Sequence, residues 1–353
     1  MSKITDMFSQ KVLLDYSQNR QMAPLLGETL FPERKIQGLE FEYLRGGSSL
    51  PVAAKVHAFD TEAEIGSREV QKSAGELALI KRKMQLKEKD IIALNNPRNV
   101  QEAMFLKQNV FNDIDALVNS VRAGIEKMRM EVLAKGKITL DSDNNKTIVD
   151  YNVPEEHKAI ANWNDDSVNP LEDIMTWIDR MDDTPTRALT STKVLRTIMR
   201  NKNVITTIFG SNTGKILTPV EFDNFMKANG LPVIKAYDKK YRVQSANGFT
   251  TNRYFDENAF AMFGDNMLGE TVYGTTAEEI RLSQNPEFDT NAVGNILTTV
   301  YEQSGDPVST WEKAVATALP SFAEADNVFQ ATITTGNTAP ASSATAPKQP
   351  AEA

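Results

Sequence analysis

Residues 111–137 read "FNDIDALVNSVRAGIEKMRMEVLAKGK", and their pattern predicts one long amphipathic helix. Large apolar residues recur at alternating steps of three and four, which places them on one face of an α-helix. These residues are Phe111, Ile114, Val118, Val121, Ile125, Met128 and Val132. Asn96-Pro97 upstream and Gly136 downstream predict a helix over 98–135. At about 1.5 Å per residue it would be roughly 57 Å long, several times the usual length.

This apolar stripe has two explanations. The spacing suits a coiled-coil dimer, but it is more often the face that a helix packs against the sheet of its own subunit. We therefore expect the stripe to form subunit core and the charged residues between its members to leave the opposite face wet. Those charged residues are Asp113, Asp115, Arg122, Glu126, Lys127, Arg129 and Glu131.

The segment before the helix predicts strands from residue 36 to residue 95. "GLEFEYLRGG" alternates apolar and polar residues and then turns at Gly46-Gly47. Residues 60–90 read as a long two-stranded excursion with too few apolar residues for a core of its own. An isolated hairpin is marginal in water, and its edges can pair with other chains. We expect this excursion to be held by a neighbouring molecule.

The segments after the helix predict a mixed domain followed by more strands. "KITL" and "TIVDY" flank an Asx-rich turn and predict a hairpin. Residues 150–285 read as mixed α/β, with "NPLEDIMTWIDRM", "STKVLRTIMRNKNV" and "TPVEFDNFMKANG" as helices. Strand patterns return from residue 286, whereas the Ala/Pro/Ser/Thr-rich tail from Gly336 cannot bury enough surface to order itself. Residues 22–34 read as an extended segment.

Composition excludes several classes of protein. The chain has 353 residues, a net charge of -8 and no cysteine. The acidic balance argues against tight, sequence-independent DNA binding, and the lack of cysteine removes disulfides and Cys-ligated zinc. No signal peptide and no run of about 18 apolar residues is present, so we expect no membrane span and a cytoplasm-like compartment.

No motif predicts catalysis, a cofactor or a metal. "FGSNTGKI" lacks the spacing and the hydroxyl of a phosphate-binding loop, and "DSDNNKTIVDYN" has Lys146 and Asn152 where a calcium loop needs Gly and Glu. The two histidines, His57 and His157, form no metal motif. "LIKRKMQLKEKD" is basic, but no aromatic residues interleave to stack bases, which favours a solvated strand face. A glycosidase-type carboxylate pair stays open because its spacing is spatial.

Several stretches in this order resemble the major capsid proteins of tailed bacteriophages, and most closely the major capsid protein E family of lambda-like phages. They run from "LFPERKIQGLEFEYLRGG" at Leu30 to "WEKAVATALPSFAEADNVFQATI" ending at Ile333. Between these come "EVLAKGKITL" passing into "TIVDYNV", "ANWNDDSVNPLEDI" and "TSTKVLRTIMRNKNV". None is a catalytic signature, and the specificity lies in their shared order.

The resemblance implies an α+β chain with the Hong Kong 97-type phage capsid fold. Its implied parts are an N-arm (1–40), an E-loop (55–85), a P-domain (41–54, 86–149 and 286–335) with the spine helix 98–135, an A-domain (150–285) and a flexible C-terminal tail (336–353). It also implies that Glu64, Arg68, Glu69 and Lys72 of the E-loop contact a neighbouring subunit.

The implied function is structural. Subunits would form hexamers and pentamers of an icosahedral shell around double-stranded DNA, without enzymatic activity or specific DNA binding. Implied partners are other copies of the chain, a scaffolding protein, a portal and a decoration protein, with assembly in the host cytoplasm and a final place in the virion. Two alternatives stay open: an encapsulin-type nanocompartment subunit, and a soluble enzyme or binding protein with a helical dimer interface.

Overall fold

A computed structural model of the protein describes residues 7–20, 22–45, 71–142, 145–211, 214–245, 248–283, 295–303 and 308–334. The helices in these ranges are α1 (Gln10–Asn19), α2 (Leu26–Leu30), α3 (Glu88–Asn95), α4 (Val100–Lys135), α5 (Pro170–Ile178), α6 (Thr192–Arg200), α7 (Lys202–Phe209), α8 (Pro219–Ala228) and α9 (Ala277–Ser283). The strands are β1 (Glu33–Lys35), β2 (Glu40–Arg45), β3 (Gln71–Glu76), β4 (Ala78–Leu86), β5 (Lys137–Ser142), β6 (Asn145–Asp150), β7 (Lys158–Ala161), β8 (Arg187–Thr190), β9 (Val233–Ala236), β10 (Lys240–Ser245), β11 (Gly248–Arg253), β12 (Ala259–Phe263), β13 (Thr271–Gly274), β14 (Leu297–Gln303), β15 (Ser309–Pro320) and β16 (Val328–Ile333).

The long helix α4 has clear start and stop signals. The Asn99 side chain caps it by accepting a hydrogen bond from the backbone N–H of Glu102 at 2.8 Å. Gly136 ends it in the left-handed conformation, at φ 67°. A Cβ at Gly136 would also lie 2.7 Å from a methyl carbon of Val153. Glycine is therefore required there for both conformation and space, and it directs the chain into the β5–β6 hairpin.

The first sheet is the platform beneath α4. Its order is β1-β13-β15-β14, and β4 pairs with the other side of β15. The helix residues Val118, Val121 and Ile125 share one buried cluster with alanines of β15. Alanine side chains let the helix approach the sheet closely, so the helix stripe covers the face of the first sheet that packs against α4.

The second sheet has the order β7-β16-β12-β8-β9. Strand β12 is buried on both faces. Ala261 and Phe263 join the cluster beneath α4, whereas Phe260 and Met262 join the cluster that covers helices α5 to α8. This sheet therefore separates α4 from the four helices of the mixed domain. Its strand β16 comes from the segment after residue 286, while β13 lies in the first sheet.

Four local predictions were wrong. The expected two-stranded excursion over residues 60–90 is not separate along its length, because β4 pairs with β15 in the first sheet. Residues 88–95 form helix α3 instead of continuing a strand, since Ile91 and Leu94 pack beside α4. "STKVLRTIMRNKNV" forms two helices, because the Asn201 side chain caps a new one by accepting from the backbone N–H of Asn203 at 2.9 Å. The segment 22–34, expected to be extended, contains the short helix α2.

Candidate functional site

The centre of α4 carries two buried charges that join three parts of the chain. Glu126 is 0% exposed and Arg129 is 1% exposed. Glu126 Oε1 accepts hydrogen bonds from the backbone N–H of Gly27 at 3.0 Å and from the Tyr237 hydroxyl at 2.7 Å. The prediction that these two charges would lie on a wet face was wrong, because their partners come from segments far away in the sequence.

Arg129 ties the helix to the first sheet. Its Nε donates to Thr271 Oγ1 at 2.7 Å, and its Nη2 donates to Glu33 Oε1 at 3.3 Å. Its Nη1 also lies 3.7 Å from Glu126 Oε2. A buried charge is tolerated only when it is paired and hydrogen-bonded. We call the set Gly27, Glu28, Glu33, Glu126 and Arg129 the arm–helix junction.

The junction extends to one further arginine on α4. Arg122 donates to Glu28 Oε1 through Nε at 3.0 Å and through Nη2 at 2.6 Å. The other oxygen of Glu28 accepts from the backbone N–H of Leu25 at 3.0 Å, which caps α2. A Cβ at Gly27 would lie 2.7 Å from Cδ of Arg129, so only glycine lets this segment lie against the helix. The segment 22–35 is therefore fixed by backbone and side-chain contacts together.

Two tyrosines close the junction from the two sheets. Tyr237 follows β9, and burial together with its hydrogen bond to Glu126 raises the pKa of its hydroxyl. Tyr273 in β13 donates to Glu33 Oε1 at 2.8 Å, and burial and the Glu33 charge raise its pKa as well. Both hydroxyls stay protonated at ordinary pH and act as donors to the carboxylates.

Helix α1 docks on the first half of α4 through mixed contacts. The Tyr16 hydroxyl donates to Asp115 Oδ2 at 2.7 Å, and Arg20 Nη1 donates to Asp115 Oδ1 at 2.6 Å. Burial and the hydrogen bond to Asp115 raise the pKa of Tyr16 to about 12. The rings of Tyr16 and Phe111 lie 4.4 Å apart between centroids, and Phe8 meets Phe111 edge-on at 5.5 Å.

Another buried acidic side chain lies under α4, and no cation among the described residues pairs with it. Glu312 in β15 is 1% exposed, and neither carboxylate oxygen has a hydrogen-bond partner among the described residues. Burial and the nearby Asp113 carboxylate raise its pKa to about 8. Burial and Asp90 raise the pKa of Asp113 in turn. Glu312 is consequently protonated at neutral pH.

The structure places the predicted helix stripe on two clusters. Val118, Val121, Ile125, Met128 and Val132 are buried in the main core with the two sheets. Ile114 and the partly buried Phe111 lie instead in a smaller cluster with α1 and α3. The stripe thus runs from the docking site of α1 into the centre of the subunit.

The predicted loop residues are described only in part. Glu64, Arg68 and Glu69 lie outside the described residues. The backbone of Lys72 belongs to β3 and pairs with Leu44 of β2. The β2–β3 ladder joins no other sheet within the described ranges.

The other sequence motifs gain no chemistry from the structure. His157 is buried, and its Nε2 lies 3.1 Å from the carbonyl oxygen of Arg180, while His57 lies outside the described residues. Most of the basic stretch from Leu79 lies on β4, and its last residues begin α3. On β4, Lys83 Nζ lies over the Trp311 ring at 4.0 Å. In the described ranges no group of three or more acidic, His or Cys residues could hold a metal ion. None of the described helices combines the length and apolar character needed to cross a membrane.

Sequence reasoning missed Glu126, Arg129 and Glu312. Spacing alone assigns the two α4 charges to the face away from the stripe, and nothing nearby in sequence marks their partners. Gly27 is a weak signal, since a glycine inside an apolar segment can mark close approach of backbone to another element. Glu312 lies inside a strand that is buried at almost every position, and only the structure shows that burial.

Comparison with known protein families identifies the class of protein to which this chain belongs. The family model for phage major capsid protein E matches residues 9–333. The chain belongs to the phage major capsid protein E family. No curated protein matches it.

Two solved structures share its fold. One is the crystal structure of a protein assigned as the capsid protein of a prophage in Escherichia coli CFT073, with TM-score 0.59, 16% identity, and coverage of 94% of this chain and 98% of that one. The other is a phage-related protein from Bordetella bronchiseptica RB50, with TM-score 0.51, 11% identity, and coverage of 91% of this chain and 96% of that one.

The predicted Hong Kong 97-type phage capsid fold is confirmed. The chain is a structural major capsid protein that assembles into an oligomeric shell, and its place is the virion. The encapsulin-type alternative is not favoured, because the family match is to a phage capsid protein.

Proposed function

We propose that this subunit builds hexamers and pentamers of an icosahedral shell around double-stranded DNA, and that its extended segments overlap neighbouring subunits. The observation that carries this proposal is the β2–β3 ladder. Its strands pair only with each other in the described part of the chain, and residues 46–70 connect them. A two-stranded ladder is marginal by itself in water and offers free edges, so a neighbouring molecule is needed to stabilise it.

We assign the parts of the chain accordingly. Residues 1–40 are the N-arm, 55–85 the E-loop, 150–285 the A-domain and 336–353 a flexible tail, with the P-domain formed by the rest. Four strands qualify this division. β1 of the arm, β4 of the loop range and β13 of the 150–285 range all pair within the first sheet, and β16 pairs within the second. Glu64, Arg68, Glu69 and Lys72 are assigned to the contact between the E-loop and the next subunit.

The partners follow from the same assignment. A scaffolding protein and a portal act during assembly in the host bacterial cytoplasm, and a decoration protein covers the E-loop and arm of the finished shell. Permanent assemblies bury far more area than a standard protein–protein interface, which suits overlapping arms and loops. The net charge of -8 supports a shell that encloses DNA without binding it tightly. The membership of a structural family supports a role without catalysis.

Exchange of two loop charges tests the assignment. We expect Arg68→Glu with Glu69→Arg to reduce the assembled fraction at least tenfold, because both side chains would then face like charges on the neighbouring subunit. Net charge is unchanged, so general solubility is unaffected. Assembly is measured by sedimentation and electron microscopy, with scaffold co-expressed, and subunit folding by circular dichroism.

A matched exchange in the tail is the control. Lys348→Glu with Glu352→Lys also preserves net charge and should leave the assembled fraction unchanged. Normal shells from the Arg68/Glu69 exchange would contradict the loop assignment. A wild-type protein that stays monomeric or dimeric with scaffold present would contradict the shell itself.

A further inference from the structure

Helix α6 presents a rigid row of cations to solvent. Lys193, Arg196 and Arg200 are exposed at steps of three and four, so they share one face. Val194 and Ile198 on the opposite face are fully buried in the core of the second sheet. The Ser191 hydroxyl caps the helix by accepting from the backbone N–H of Val194 at 3.1 Å. The row is therefore fixed in position.

The row borders an open groove of about 830 Å³ that Lys240 and Arg253 also line. Some of these cations are already paired: Lys193 with Glu257 at 3.4 Å, and Arg253 with Asp238. In the described part of the chain, the side chains of Arg196, Arg200 and Lys240 make no ion pair and no hydrogen bond. Three unpaired cations in a chain of net charge -8 mark a surface that favours an anionic partner.

The same domain carries a complementary surface at the other end of its sheet. Asp179 and Asp183, just before β8, are exposed and form no ion pair among the described residues. Asp265, after β12, is 78% exposed and lies 3.5 Å from Arg187. Since β12 runs antiparallel to β8, its last residue lies beside the first residue of β8. We call Asp179, Asp183 and Asp265 the acidic corner.

The two surfaces cannot meet within one subunit. The acidic corner flanks the start of β8 and α6 follows its end, so a strand of four residues separates them. That strand is about 13 Å long. Surfaces of opposite charge at opposite ends of one sheet fit a head-to-tail contact between copies, and a repeated head-to-tail contact closes into a ring.

We propose that the α6 cation row of one subunit docks on the acidic corner of the next copy around a capsomer. This inference rests on the proposed shell function and names one contact within it. The occupant is a second copy of this chain, because that copy supplies the acidic corner, in which Asp179 and Asp183 form no ion pair among the described residues. The phosphate backbone of enclosed DNA is the competing occupant.

Charge reversal tests the contact. We expect Arg196→Glu/Arg200→Glu and Asp179→Arg/Asp183→Arg each to lower the assembled fraction at least tenfold, while circular dichroism of the unassembled subunit stays unchanged. One chain carrying all four substitutions should recover assembly, because the row and the corner then exchange signs. A mixture of the two double variants should also recover rings of even number, in which the variants alternate.

Each other outcome has a definite meaning. Normal shells from either double variant, or no recovery by the fourfold variant, would overturn the contact. A short DNA duplex that binds the wild-type subunit and binds Arg196→Glu/Arg200→Glu at least tenfold more weakly would assign the row to phosphate instead. If wild-type protein forms no shells, the proposed function fails, whereas wild-type shells without rescue defeat this inference alone.

Discussion

The two halves of the long helix α4 carry apolar side chains of similar size but bury them very differently. In the second half, even Glu126 and Arg129 are enclosed. In the first half, Val100 and Met104 are each 67% exposed and Phe105 is 64% exposed. The second half therefore belongs to the interior of the subunit. The first turns of the helix, around Val100 to Phe105, present apolar surface that the described residues do not cover.

This difference shows how one helix serves folding and assembly in separate places. An exposed cluster of large apolar side chains is a common mark of an interaction surface. A half that is packed between two sheets and an arm can instead fix the subunit's shape. Substitutions in the second half should consequently act on folding, and substitutions of the exposed residues in the first turns on association.

The largest expected effect is that of Ile125→Asp. Ile125 is completely buried between α4 and the first sheet, so a carboxylate there would be desolvated without a partner. We expect a loss of about 5 kcal/mol of unfolding free energy, enough to prevent folding of a marginally stable subunit. Soluble yield and the urea midpoint measure it.

Phe105→Asp is the matched control in the first half. Phe105 is 64% exposed, so the subunit should keep its urea midpoint. A folded, stable Ile125→Asp subunit, or a Phe105→Asp subunit that fails to fold, would break the comparison between the halves.

Removal of the buried cation should have the next largest effect. Arg129→Ala leaves Glu126 buried without its cation, which we expect to cost about 3 kcal/mol. Lys127→Ala, two residues away and only half-buried, should change stability by less than about 0.5 kcal/mol. Denaturant unfolding of the unassembled subunits distinguishes them, and equal effects would show that the junction contributes little.

Glu312→Gln should change the pH dependence of stability. The folded pKa is raised to about 8 from an ordinary 4.5, so the folded state holds a proton that the unfolded state releases. Wild-type stability should fall as pH rises from about 4.5 to about 8. The glutamine variant lacks this loss and should be more stable at pH 8 by at least about 1.4 kcal/mol. Thermal melts at pH 5 and pH 8 test it, and parallel pH profiles would contradict the buried carboxyl.

The smallest effect concerns the docking of α1 on the first half of α4. Asp115→Asn removes the ion pair with Arg20 and weakens the bond from Tyr16, which we expect to cost about 1 kcal/mol. Asp113→Asn, two residues away on the same helix, should be neutral or slightly stabilising, because burial and Asp90 already disfavour that charge. Hydrogen exchange of the α1 amides measures the effect, and we expect faster exchange only in Asp115→Asn. Faster exchange in both variants would contradict the role assigned to Asp115.

The sequence predicts the long helix well because its signals are local. Spacing defines the stripe and Gly136 marks its end, while the cap that starts the helix is Asn99, beyond the Asn96-Pro97 signal. The division of 192–209 into two helices depends on Asn201. Its role as the cap of the second helix is visible only when the backbone around it is placed. Helix α3 was missed because its few apolar residues gain their burial from α4.

The candidate site is less predictable because its contacts cross long distances in sequence. Glu126 meets Gly27 and Tyr237, and Arg129 meets Thr271. A charge on a helix looks solvated until these partners are placed around it. The reach of the E-loop stays a prediction, as Arg68 and Glu69 lie outside the described residues.

The pairing of β1 with β13 has a consequence for synthesis of the chain. Glu33 pairs with Thr271, and the Thr271 hydroxyl donates to the carbonyl oxygen of Phe31 across a separation of 240 residues. Such a contact has a very high contact order and forms late. Most of the polypeptide must therefore emerge from the ribosome before strand β1 can pair with β13. Nascent chains lack a finished arm, which delays association until each subunit is nearly complete.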